Sequence, residues 1–99
     1  MPDFTGERPL IVEAIRNRTL VLVDYEQSLV RVEPHIYGRD AKGREILFGW
    51  AKTTAKQGGW TVEPLDEARS VRPLPGEFLG PRPGYDRDNP QFDVVFARV

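Results

Sequence analysis

Apolar positions change their spacing along the chain, and each change predicts a different element. Leu10, Ile11, Ala14 and Ile15 recur at helical intervals, which predicts a short helix over residues 8–17 with one apolar stripe. Pro9 suits its first turn, and Thr5 or Glu7 helps its start. Arg16 and Arg18 meet the negative end of its dipole, and Asn17 stands as its C-terminal stop. Thr19 to Tyr25 is rich in β-branched and aromatic residues and reads as a strand, central because apolar residues occupy both faces through Leu22. Glu26-Gln27-Ser28 turns the chain into a second strand over 29–36. There Val30, Val32 and Pro34 point one way, and Leu29, Arg31, Glu33 and His35 the other. Pro34 cannot donate to a ladder, so it marks an edge, a bulge or the strand's end.

Residues Gly38 to Gly43 hold two glycines and read as a turn. A third strand follows over 44–53, with Ile46, Phe48 and Trp50 opposite Leu47, Gly49 and Ala51. Gly49 indicates strong bending or a close backbone approach, as at the corner of a small barrel. Lys56-Gln57-Gly58-Gly59 reads as a turn into a short strand, Trp60 to Glu63, and a further short strand is expected around 68–74. Six of the nine prolines lie between Pro64 and Pro90, which predicts an irregular connection over about 75–91. A closing strand over 92–99 sets Phe92, Val94 and Phe96 opposite Asp93, Val95 and Ala97. One short helix and five or six short, bent strands predict a mainly β fold, a small antiparallel barrel.

Composition narrows the function classes. The chain has 99 residues, 14 Lys+Arg against 15 Asp+Glu, and no cysteine. That length is a single domain, residues 1–99. Without cysteine there is no disulfide scaffold, thiolate zinc site or cysteine nucleophile, and one histidine makes a multi-histidine metal site impossible. No cofactor or metal is expected. No apolar run approaches the roughly 20 residues of a membrane span, and the N-terminus lacks the order of a signal peptide, so a cytoplasmic protein with no membrane partner is expected. The near-neutral balance is not that of a protein gripping duplex DNA through phosphates alone. From Arg39 to Lys56, however, five basic residues face two acidic ones. Cations guarding the edges of a hairpin are one reading, an anion-binding patch the other.

Enzyme templates are missing: the sequence has no phosphate-binding glycine loop, nucleophile elbow or paired metal-ligand motif. Glu63, Asp66 and Glu67 form an acidic cluster that reads as a solvated surface turn, not an acid–base pair. His35 either binds an anion or switches near neutral pH, or else it donates to a backbone carbonyl in the bend. Tyr25, Tyr37, Trp50 and Trp60 either stack on bases beside cations or fill the core, Trp60 being the ring expected to stay partly exposed.

The order of these features resembles a known family. Ala14-Ile15 precedes a strand ending in Tyr25. Then come Arg31-Val32-Glu33-Pro34-His35, Tyr37-Gly38, Gly43 and Leu47, Gly59-Trp60, and Leu65-Asp66. Phe78, Gly80-Pro81-Arg82-Pro83-Gly84-Tyr85 and a closing strand complete the series. Over about residues 8–99 this resembles a WYL domain of the small stand-alone variety. The resemblance implies an Sm-like, SH3-type β-barrel and a bacterial or phage ligand-sensing module for transcription regulation or phage defence, several of whose relatives respond to nucleic acid or nucleotide-like ligands. The naming triplet falls on Glu45-Ile46-Leu47, where only Leu47 matches. Thr61, Pro64 and Glu67 stand where the family usually carries arginines, the guanidinium forks suited to phosphate. Residues 1–18 leave no room for a DNA-binding helix-turn-helix. The leading expectation is a non-enzymatic module binding single-stranded nucleic acid or a nucleotide-like ligand through Tyr25, Arg31, His35, Arg44, Lys52 and Trp60. The alternative is a protein-interaction or homo-oligomerisation module, with Phe92–Val99 as the pairing strand.

Overall fold

A computed structural model of the chain describes residues 8–53 and 56–99, the side chains of residues 52, 53, 56 and 57 excepted. Thr5 and Glu7 therefore lie outside the described residues. The helix α1 spans Pro9–Asn17, with proline in its first turn and Ile11, Ala14 and Ile15 buried. It ends at Asn17, where the spacing places its end, but the left-handed cap is the next residue: Arg18, not Asn17, turns at φ 55°, and its N–H reaches back to the Ala14 and Ile15 carbonyls.

Among the described residues six antiparallel strands form one sheet: β1 Thr19–Asp24, β2 Leu29–Arg39, β3 Glu45–Thr53, β4 Lys56–Pro64, β5 Ser70–Glu77 and β6 Val94–Arg98. The order is β4-β3-β2-β1-β5, and β6 pairs the far half of β2. A single 3-10 turn, Leu65–Glu67, links β4 to β5. Among the described residues no ladder joins β4 to β5, so the sheet is open. It nevertheless curls: the Tyr25 hydroxyl, just past β1, donates to the carboxylate of Glu63 on β4, three strands away in the sheet order.

The curl starts in β2. Its register against β3 slips between Pro34 and Ile36, leaving His35 as the extra residue of a bulge. Proline fits there because it owes the ladder no hydrogen bond at that point. Opposite, Gly49 lets the two backbones close: a Cβ there would strike the Glu33 carbonyl oxygen. The bulge also switches the buried parity of β2. Val32 before it and Tyr37 after it both enter the main core with Ile11, Ile15, Val21, Val23, Leu47 and Leu65. Because of it β2 continues to Arg39, three residues beyond the sequence expectation.

Other boundaries differ: β5 runs on to Glu77, three residues past the expected 74, and β6 covers 94–98 where 92–99 is expected. Residues 56–59 belong to β4, not to a turn before it, because their backbone pairs with β3. The acidic segment is not wholly solvated either: Asp66 and Glu67 are exposed, but Glu63 is buried and accepts hydrogen bonds from Tyr25 and from Thr61 Oγ1, the latter at 2.6 Å. No helix among the described residues is long and apolar enough to cross a membrane.

Candidate functional site

Cross-strand pairing brings together a row of residues far apart in sequence. Arg72 on β5 pairs Leu22 on β1, Leu22 pairs Arg31 on β2, and Arg31 pairs Lys52 on β3. Directly paired residues share a face, so Arg72, Leu22 and Arg31 stand side by side. Arg31 is exposed and has no acidic partner among the described residues. Arg72 is held loosely, 3.7 Å from the Asp24 carboxylate, which Arg69 engages at 3.0 Å. The Glu26 N–H, then Arg69, holds the Asp24 carboxyl below the usual carboxylate range.

One pleat repeat from this row, roughly 7 Å along the strands, Glu33 pairs Trp50 and Trp50 pairs Trp60. Here the face turns aromatic. Phe48 stacks on Trp60 with centroids 4.9 Å apart, Trp50 meets Trp60 edge-on at 5.4 Å, and His35 meets Trp60 at 4.9 Å and Phe78 at 5.2 Å.

A segment from the long β5–β6 connection lies across these rings. Arg82-Pro83-Gly84-Tyr85 closes a turn, Tyr85 N–H donating to the Arg82 carbonyl at 3.1 Å, with Gly84 at φ 88° in the position that excludes a side chain. The Arg82 guanidinium grips both Glu33 oxygens, at 2.8 and 2.7 Å, and stands 5.2 Å from the Trp50 ring. This fork explains how a carboxylate as buried as Glu33 is tolerated. Trp60 Nε1 donates to the Pro83 carbonyl at 3.2 Å, and the Tyr85 hydroxyl to the Val99 carbonyl at 3.2 Å.

His35 lies beneath, fully buried. Its Nδ1 is 2.7 Å from the Glu33 carbonyl, which only accepts, so Nδ1 carries the proton. Its Nε2 accepts the Arg82 N–H at 3.3 Å. Burial depresses the imidazole pKa, against the pull of the Glu33 carbonyl and carboxylate. Trp50 Nε1 is buried, faces the Gly58 backbone and has no hydrogen-bond partner among the described residues.

The six residues expected to bind ligand are thus divided. Arg31 and Trp60 lie on this face, and Lys52 joins the row by register, its side chain lying outside the described residues. His35 is beneath the rings. Tyr25 packs against the main core, its hydroxyl held by Glu63; burial first and then that carboxylate push its pKa well above the usual range. Arg44 stands at the opposite end of the β2–β3 ladder from Arg31 and is paired to Asp40 at 3.0 Å, so the two arginines do not form one patch. Arg72, Glu33 and Arg82 enter the site although sequence reasoning does not place them there. Glu33 carries a signal: an acid inside a strand dense in apolar residues calls for a cationic partner. Among the described residues no cluster of His, Asp or Glu is arranged to hold a metal ion. Comparison of the chain with protein-family models, curated proteins and solved structures gives no match.

Proposed function

We propose that this chain is a non-enzymatic, ligand-sensing or regulatory module that takes single-stranded nucleic acid or a nucleotide-like ligand on the Arg72–Arg31 face, beside Trp50 and Trp60. The observation that carries the reading is Arg31: an exposed guanidinium without an acidic partner among the described residues, in line with Arg72 and one pleat from two tryptophans. Phosphate attracted to the arginines and a base against an indole are the two contributions that single-strand binders combine. The WYL-like reading of the sequence points the same way. The leading helix, the β4-β3-β2-β1-β5 meander and its curl are compatible with an Sm-like, SH3-type barrel, and a cytoplasmic role in bacterial or phage transcription regulation or defence would follow from that family. Titration of a labelled single-stranded oligonucleotide and of nucleotides at low salt tests the proposal by fluorescence anisotropy. Binding is expected, weakened about tenfold by Arg31→Glu. A wild-type protein that binds neither class of ligand ends it.

The alternative, a protein-interaction or self-association module, is favoured by a different observation. The short strand β6 pairs only β2 among the described residues and exposes Val94 and Val95.

A further inference from the structure

We propose that Gly80–Tyr85 is a strap closed over the two tryptophans of this face, latched by the neutral His35 imidazole, so that protonating His35 opens it. As a gate on ligand binding it rests on the reading above; the opening itself does not.

Among the described residues the strap is held by four polar attachments, and they are not equivalent. The Glu33–Arg82 fork, the Trp60–Pro83 bond and the Tyr85 hydroxyl, shared between the Val99 carbonyl at 3.2 Å and the His35 carbonyl at 3.5 Å, draw on carboxylate, guanidinium, indole and phenol groups whose ordinary values lie outside about pH 5 to 8. The fourth does not. Arg82 N–H needs a lone pair on His35 Nε2, and Nδ1 is already committed as donor to Glu33. A second proton can only go on Nε2, where it faces an N–H. The charged groups around the ring are then the Glu33 carboxylate, on its own strand, and the Arg82 guanidinium, on the strap. Glu33 is already engaged by Arg82, so the imidazolium competes with the guanidinium for one carboxylate and repels it. Trp60 from β4, Phe78 after β5 and Tyr85 from the strap supply uncharged rings on the remaining sides.

The sign follows from which state prefers the neutral ring. The closed strap excludes the proton, and the open one admits it. Closure is therefore fully favoured above the ordinary histidine value of 6.5 and weakens as pH falls below it toward the lower value of the closed state. The closed arrangement also leaves the Trp50 Nε1–H buried and, among the described residues, unpaired, a cost that opening relieves if water reaches it.

Trp50 and Trp60 are the only tryptophans in the chain, and His35 is its only histidine, so both ends of the device can be read in the intact protein. Acrylamide quenching of tryptophan fluorescence is followed from about pH 8 to about pH 5, with far-UV circular dichroism in parallel and the imidazole nitrogens followed by NMR. The quenching constant is expected to at least double in a one-proton step that coincides with loss of the Nδ1–H tautomer, with the far-UV signal unchanged. Arg82→Ala is expected to be highly quenched at both ends of the range, with no step. Flat quenching while His35 titrates overturns the proposal. So does a step that coincides with loss of the far-UV signal, or an Arg82→Ala protein as protected as wild type. Oligonucleotide affinity measured alongside separates the two readings. A quenching step without any oligonucleotide binding keeps the strap and removes the ligand; binding with flat quenching does the reverse.

Discussion

At Gly49 an added methyl group would strike the Glu33 carbonyl oxygen and come within 2.6 Å of Val32 Cγ1. Neither neighbour can give way cheaply: one is backbone at the β2 bulge and the other is a core side chain. Gly49→Ala is therefore expected to destabilise the fold by about 1–3 kcal/mol, the usual range for forcing a group into a packed site. Urea unfolding measures this directly. Because His35 is the extra residue of this bulge and Glu33 lies just before it, the variant should also expose the tryptophans more to acrylamide at neutral pH. A neutral substitution would mean that β2 and β3 approach less closely than their register implies. This residue is legible in the sequence, since a glycine set among the bulky residues of 46–50 signals a backbone that must come close to its neighbour. Glu33 is only half legible. Alternation places it on the side of Arg31 and His35, which is where it lies, but alternation is silent about a guanidinium 49 positions away that makes its burial tolerable.

Elements defined by local spacing are the easier ones to read. The helix stripe, the β1 segment and the Asp40–Arg44 turn each carry their own signal within a few residues. Residues 56–59 mislead because two glycines outweigh a strand signal locally, whereas the ladder to β3 decides the outcome. The Gly80–Tyr85 segment reads as irregular connection and is irregular, yet its placement comes from distant partners on β2 and β4 and from the Val99 carbonyl after β6. The strand β6 supplies the prediction at this scale. Val94 and Val95 are 43% and 40% exposed on a strand of five residues. If the chain self-associates, light scattering should show growth in mass with concentration, and Val95→Lys should abolish it while leaving far-UV circular dichroism intact, because a lysine blocks edge pairing without touching the core. A wild-type monomer at every concentration removes self-association as the use of this edge.

Charge over the whole molecule sums to −1, with 14 basic side chains against 15 acidic. Such a total gives no long-range pull on a polyanion, so any binding must come from local arrangement. Most basic groups near the candidate face are already engaged: Arg82 with Glu33, Arg69 with Asp24, and farther off Arg44 with Asp40. Among the described side chains, Arg31 and the loosely held Arg72 are what the face has to offer. A ligand contacting these two displaces counterions from about two phosphates. On a single strand the logarithm of affinity should then fall with the logarithm of salt at a slope of about −1.4, so tenfold more salt weakens binding about 25-fold. Arg31→Ala should cut that slope to about half, because one of two contacts is lost. Arg44→Ala should leave it unchanged, since that side chain is neutralised by Asp40 at the far end of the ladder. A slope several times steeper would mean that cations elsewhere on the surface carry the contact. A slope near zero with binding retained would assign the affinity to the indoles of Trp50 and Trp60, and through them to whatever holds the strap shut.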